Sequence, residues 1–391
     1  MSKQIKIAYC IPSLYYPSGM ERVLTLKANY FAEHFGYKIH IILTDGKDKK
    51  PYYELHPSIT LHQLDINYDE MYGRTLPKRI LGYWKKQRLF KKRLNECLCN
   101  IRPDITISLL RRDINFINKV KDGSIKIGEI HFNKSDYRAF NDNHLPMFLQ
   151  RIVKEHWRRQ LIRQLRQLKR FIVLSHEDAA QWTELNNVNV IYNPLPFYPE
   201  GSSDNSQKQV IAVGRYVPQK GFDRLIPAWK IVSEQHPDWT LRIYGDGMRE
   251  KIQQQIDSLG ISSNCILEHS VPNIVDKYCE SSIFVLSSRF EGFGMVIIEA
   301  MACGVPPVSF TCPCGPRDII TDGKDGLLVE NGDIEGLAGK ICYLIENEKE
   351  RKEMGKQARI NVERFKIEHV AQEWRELFET LTKQPYSDQL S

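Results

Sequence analysis

The sequence has no long apolar run. Across its 391 residues no stretch approaches the roughly 18 or more consecutive apolar residues that a membrane-spanning helix requires. Nor does it carry a disulfide framework, since its nine cysteines are odd in number and scattered, the usage of a reducing compartment. Cys97-Leu98-Cys99 and Cys312-Pro313-Cys314 lack a second ligand pair at zinc spacing, so packing and loop roles are the expectation and no metal is expected. The opening residues Met1 to Lys6 lead into a short apolar run that Pro12 interrupts, which reads as a first strand rather than a signal peptide. The expectation is a cytosolic chain. No usual nucleic-acid recognition motif accompanies the basic residues, so nucleic acid is not an expected partner.

What remains is the make-up of a globular protein, with 42% apolar and 26% charged residues. Single cores stop growing near roughly 250–300 residues, so two domains are expected. The net charge of +7 conceals an asymmetry: residues 1–195 carry +14 and residues 196–391 carry −7. Short β-rich apolar runs alternate with helix-length amphipathic segments, the pattern of parallel sheets covered by helices on both faces. It occurs twice. Strands are expected at Ile5–Ile11, Lys38–Leu43, Ile105–Leu109, Ile125–Ile130, Phe171–Leu174 and Val190–Ile191. A second series falls at Val210–Val213, Leu241–Tyr244, Ile266–Glu268, Ile283–Leu286, Pro307–Ser309 and Leu327–Val329.

The Pro-, Ser- and Gly-rich segment 196–209, with little to bury, is the expected linker between a basic domain 1–195 and a second domain 210–365. A last helix and tail occupy 366–391, where Val370, Trp374, Leu377 and Phe378 recur at helical spacing; packing back on the first domain is one placement for it. The fold class is α/β, two doubly wound Rossmann-like domains facing a central cleft, with C-terminal helices. Such folds bind ligands at loops that follow strands.

Three such loops carry candidate chemistry. Gly214-Arg215-Tyr216-Val217-Pro218-Gln219-Lys220-Gly221 joins a strand to a helix, and its Arg and Lys suit a diphosphate whose charge grows as it leaves. The alternative is a connecting loop with two solvated cations. Glu291-Gly292-Phe293-Gly294 opens a helix whose free N–H groups form an anion site, while Glu299 lies inside that helix, where a carboxylate can accept from the two hydroxyls of a ribose. The plainer alternative makes Glu299 a solvated helix residue. Gly245-Asp246-Gly247 permits a tight turn near a nucleotide and equally describes any Asp-Gly turn.

Together these segments resemble the family 4 glycosyltransferases of the GT-B fold, over nearly the whole chain. The family's Gly-Arg-x-x-x-x-Lys-Gly element matches Gly214 to Gly221, implying that Arg215 and Lys220 grip the donor diphosphate. Its paired glutamates match Glu291, beside the transferred sugar, and Glu299, on the ribose. Gly292, Phe293 and Gly294 fall with them on the donor side. In the first domain the family's glycine-rich loop matches Pro17 to Arg22, with Gly19 expected to face the donor and Ser18 departing from the usual glycine pair. His131 stands where relatives place a histidine near the reacting sugar, although a lone histidine is more often structural. The loop holding Val271 is implied to contact the base, and the loop around Asp318 to lie on the sugar side, with Asp where Glu is commoner.

The resemblance further implies a retaining, metal-independent hexosyltransferase that needs no cofactor. It would take a nucleotide diphosphate sugar, UDP before guanosine diphosphate, to a saccharide or lipid-linked saccharide acceptor in bacterial polysaccharide synthesis. A nucleotide-sugar 2-epimerase and a non-catalytic nucleotide-sugar-binding protein are the alternatives. Lys78–Leu94 and Arg151–Arg170 mix cations with aromatic and aliphatic residues, either as interfacial helices at an anionic membrane or as ordinary helices with solvated basic faces. The first reading would hold the chain peripherally at the inner face of the cytoplasmic membrane.

Overall fold

Parallel strands buried on both faces need a covering of helices, and this chain meets that requirement twice. The computed structural model describes residues 4–71, 76–134 and 147–383, so the expected tail lies outside the described residues. Two units result.

The first unit takes the chain up to Val173, then Ala179–Pro194, then everything from Ile367 onward. Its elements are β1 (Lys6–Ile11), α1 (Gly19–His34), β2 (Lys38–Leu43), β3 (Thr60–Gln63), α2 (Leu76–Ile101), β4 (Ile105–Ser108), β5 (Ile125–Glu129), α3 (Met147–Leu165), β6 (Arg170–Val173), the second half of α4 (His176–Gln181) and β7 (Val188–Val190). The seven strands form one sheet in the order β3-β2-β1-β4-β5-β6-β7, every pair parallel. The sequence pattern located all but β3. That strand lies at the sheet edge with mostly exposed side chains, so it lacks the apolar run that marks the others.

The second unit comprises Leu195–Lys366 with the short stretch Leu174–Asp178. It contains β8 (Gln209–Val213), α5 (Phe222–Gln235), β9 (Thr240–Tyr244), α6 (Arg249–Ser258), β10 (Cys265–Glu268), α7 (Ile274–Cys279), β11 (Ile283–Leu286), α8 (Met295–Ala302), β12 (Pro307–Phe310), α9 (Pro316–Ile319), β13 (Leu327–Val329), α10 (Ile334–Glu346) and α11 (Glu348–Asn361). Six parallel strands run β10-β9-β8-β11-β12-β13. Val210, Ala212, Leu241, Ile243, Val285 and Val308 are buried in its sheet.

Two segments depart from the expected boundaries. Residues 196–209 are fastened to the second unit rather than spanning free: buried Ser203 donates through Oγ to Ser281 O at 2.6 Å, and Asn205 Nδ2 donates to Gly304 O at 3.0 Å. Arg359 Nη1 also donates to Gly201 O at 3.0 Å. Polar composition had suggested solvation, but here the polar groups are what attach the segment. Leu174–Asp178, expected within the first domain, groups with the second because His176 and Glu177 bond to its residues 314–318.

The last helix, α12 (Ile367–Lys383), packs in the first unit. Val370, Trp374, Phe378 and Leu381 join the core of β1, β2 and α1, and Phe378 meets Phe31 edge-on at 5.8 Å.

Candidate active site

Strands β8 and β11 pair side by side, so the loops that follow them are neighbours. The loop after β8 ends at Gly221, whose φ of +65° is left-handed and whose added Cβ would sit 2.0 Å from Ser287 O. Only glycine allows that approach. Further bonds join the loops: Ser287 Oγ donates to Lys220 O at 2.9 Å, Arg289 N to Gln219 O at 2.8 Å, and Gln219 Nε2 to Phe290 O at 3.1 Å. Arg289 is a latch, gripping Asp223 of α5 with both terminal nitrogens at 2.7 Å and holding that carboxyl below its usual range.

At the centre Lys220 Nζ lies 2.8 Å from Glu291 Oε1, with the two side chains only 15% and 8% exposed. Ser288 Oγ donates to the same oxygen at 2.5 Å. Glu291 N donates to Pro313 O at 3.1 Å, which seats the loop after β12 against this one. Arg215 is exposed on the same β8 loop. Gly294, at φ +98°, is the N-cap of α8 and turns its first amides outward from the helix. Gly292 precedes it, half-buried. Phe293 is buried and packs edge-on to Phe365 at 5.6 Å, so its ring is a core member and only its backbone lines the loop. Glu299 is buried within α8, where Tyr278 OH donates to its Oε2 at 3.3 Å.

The loop after β9 acquires a role that its sequence left open. Asp246 accepts from Ser270 and lies 2.9 Å from His269 Nδ1, joining it to the loop that carries half-buried Val271; the Ser270 hydroxyl first, then His269, hold its carboxyl below the usual range. Asp318 has backbone partners within its own unit. Its carboxylate accepts from His176 N at 2.7 Å and Glu177 N at 3.3 Å, one bond to each oxygen, which anchors the start of α4 to the loop after β12. Glu177 reciprocates, taking Arg317 Nη1 at 3.0 Å and Cys314 N at 3.2 Å.

Gly19 and His131 belong to the first unit. Gly19 is the first residue of α1, exposed, with open space where a Cβ would go. His131 follows β5 and places Nε2 3.1 Å from Glu129 Oε1, an oxygen also held by Lys27. Burial alone would raise the Glu129 pKa, but Lys27 and then His131 outweigh it and hold it at about 2. The Lys27 ammonium lies 4.5 Å above the Trp374 ring.

Thus Arg215, Lys220, Glu291, Gly292, Gly294 and Glu299 sit on adjoining loops and one helix of the second unit, and Val271 on a further loop of it. Sequence reasoning missed Ser287, Ser288 and Asp223. The serines directly follow an apolar strand and lead into the Glu291 segment, and that polar pair was the available signal.

Residues 198–361 match the family model described as Glycosyl transferases group 1. An uncharacterized glycosyltransferase of Haemophilus influenzae is 26% identical over 377 residues, which is 95% of this chain and 99% of that protein. A Campylobacter jejuni N-acetyl-D-galactosaminyltransferase, whose name specifies a PP-undecaprenol-linked acceptor, is 26% identical over 95% of this chain and 98% of its own length. Among solved structures, a variant of S. aureus TarM with fondaparinux, alpha-GlcNAc-glycerol and UDP aligns at a TM-score of 0.74 and 18% identity, covering 96% of this chain and all of that one. That likeness establishes the fold, which is GT-B: two parallel-sheet, Rossmann-like domains of α/β type. The matched proteins include glycosyltransferases, among them enzymes named for poly(ribitol-phosphate) and poly(glycerol-phosphate) in Staphylococcus aureus and Bacillus subtilis.

Proposed function

We propose that this protein is a retaining, metal-independent family 4 glycosyltransferase. It moves a hexosyl group from a nucleotide diphosphate sugar, UDP-linked first, to a saccharide or lipid-linked saccharide acceptor. The observation that carries the reading is the Lys220–Glu291 pair, held at 2.8 Å beside the glycine-opened start of α8. It supports the reading because a cation, a carboxylate and free helix amides are the groups that gripping a phosphate-linked sugar at both ends requires.

In this mechanism the bond between the anomeric carbon and the diphosphate oxygen breaks, and the acceptor oxygen bonds to that carbon on the same face. The acceptor proton passes to a departing phosphate oxygen. Lys220 has three donors, so it can keep Glu291 while facing phosphate. Arg215, exposed on the same loop, supplies a fork for the second phosphate, and the helix amides complement the growing charge. Glu291 orients the sugar, Glu299 takes the ribose hydroxyls, and the Val271 loop faces the base. Gly19 and His131 are the first unit's contribution.

Nucleoside diphosphate release from a panel of nucleotide sugars, with and without acceptor, tests this directly. Acceptor-dependent release is expected, with Lys220→Ala lowering turnover by about 10²–10³ at unchanged circular dichroism. Near-normal turnover by that variant overturns the assignment. Interconversion of nucleotide sugars without release marks an epimerase, and binding without either reaction marks a sensor.

A membrane-linked acceptor agrees with the outer face of α2. Leu81 and Trp84 are 65% and 62% exposed there, among exposed Lys85, Arg88, Lys91 and Lys92. Not every cation of the helix is available. Lys86 Nζ donates to Asn67 O at 2.8 Å and Arg93 Nη1 to Leu64 O at 2.5 Å, so these two serve the fold. Among the described residues no helix is long and apolar enough to cross a bilayer, and the contact proposed is peripheral, at the inner face of the cytoplasmic membrane.

A further inference from the structure

We infer that Ser288 is a positioning residue for Glu291, fixing which carboxylate oxygen is committed to the protein and which is left for the donor sugar. This rests on the transferase reading above.

Glu291 Oε1 takes both Lys220 Nζ, at 2.8 Å, and Ser288 Oγ, at 2.5 Å. Among the described residues no donor reaches Oε2. A carboxylate offers about four lone-pair sites on two oxygens, so the free oxygen keeps its full accepting capacity. Lys220 alone would not set this asymmetry. Its ammonium is a point charge on a flexible stem, and the terminal torsion of a glutamate is broad and roughly two-fold. A second donor from a fixed direction fixes the carboxylate plane. Ser288 is such a donor: it is 1% exposed and stands two residues beyond β11, a strand buried along its whole length.

Its neighbour completes the device. Ser287 Oγ donates to Lys220 O at 2.9 Å, so adjacent hydroxyls hold the backbone of one partner and the side chain of the other. The loops after β8 and β11 are thereby set in register at a single carboxylate. With the Lys220 charge directed to Oε1, the group left facing ligand is a hydrogen-bond acceptor, which suits a hydroxyl of a neutral sugar.

The test compares Ser288→Ala and Ser288→Thr with wild type. UDP affinity by calorimetry and melting temperature report on the nucleotide site and the fold; kcat/KM for the best nucleotide-sugar donor reports on the sugar. Ser288→Ala is expected to bind UDP within twofold of wild type while its kcat/KM falls about 10- to 100-fold, and Ser288→Thr, which keeps the hydroxyl, to recover most of that loss. Retention of kcat/KM within twofold in Ser288→Ala overturns the inference. So does a parallel loss of UDP affinity and turnover, which would mark a residue that only supports the fold. If wild type turns over no nucleotide sugar at all, the transferase reading itself falls, and this one with it.

Discussion

Lys27 and Glu129 are both fully buried, and a charge removed from water must be met by another. Replacing Lys27 with Met strands the carboxylate and is expected to destabilise the protein by about 3–5 kcal/mol in urea denaturation. The double variant Lys27→Met/Glu129→Gln should recover much of that loss, because neither charge is then buried alone. The pH dependence has a definite sign. Glu129 titrates at about 2 in the folded chain against an ordinary value of 4.5, so its ionised form favours folding. That contribution is complete above about pH 4.5 and is lost as pH falls towards about 2; acid denaturation of wild type and the double variant should diverge in that window. The sequence showed His131 at a strand end but could not show this partnership, since Lys27 lies 102 residues before Glu129. Lys220 and Glu291 were each legible within a motif. Their ion pair, spanning 71 residues, was not.

Elements were legible where burial is two-sided. Strands β2, β11 and β13 match their apolar runs residue for residue, whereas β3 escaped notice because an exposed edge asks for no such run. Loops were legible only through their glycines, and Gly221 shows why. Gly221→Ala would drive a Cβ to 2.0 Å from Ser287 O at a left-handed φ. A loss of about 1–3 kcal/mol in chemical denaturation is expected, with a fall in donor turnover as the Ser287–Lys220 register opens. Segment 196–209 misled in the other direction. Its serines and its asparagine looked solvated, yet Ser203 and Asn205 are buried and bonded, and Asn205→Ala should cost about 1–3 kcal/mol by leaving Gly304 O without this donor.

At the scale of the whole molecule, charge and chain path both matter. The excess of positive charge in residues 1–195 predicts attraction to anionic vesicles that weakens as salt rises. In flotation assays Trp84→Ala should reduce recovery on anionic vesicles, and equal binding to neutral and anionic vesicles would contradict peripheral docking. The path of the chain is set by α12. Because Val370, Trp374 and Phe378 complete the core around β1 and α1, the first unit lacks a wall until α12 has been made. Nascent chains usually fold their leading domain first. Here α12 must be made before Lys27 acquires the indole beneath its ammonium. The second unit, whose residues are all synthesised by Lys366, can be complete while the first is still open. A chain carrying residues up to Lys366 but lacking α12 would therefore hold every residue of the second unit joined to a first unit whose core is still open, and chaperones would find their binding surface on that first unit.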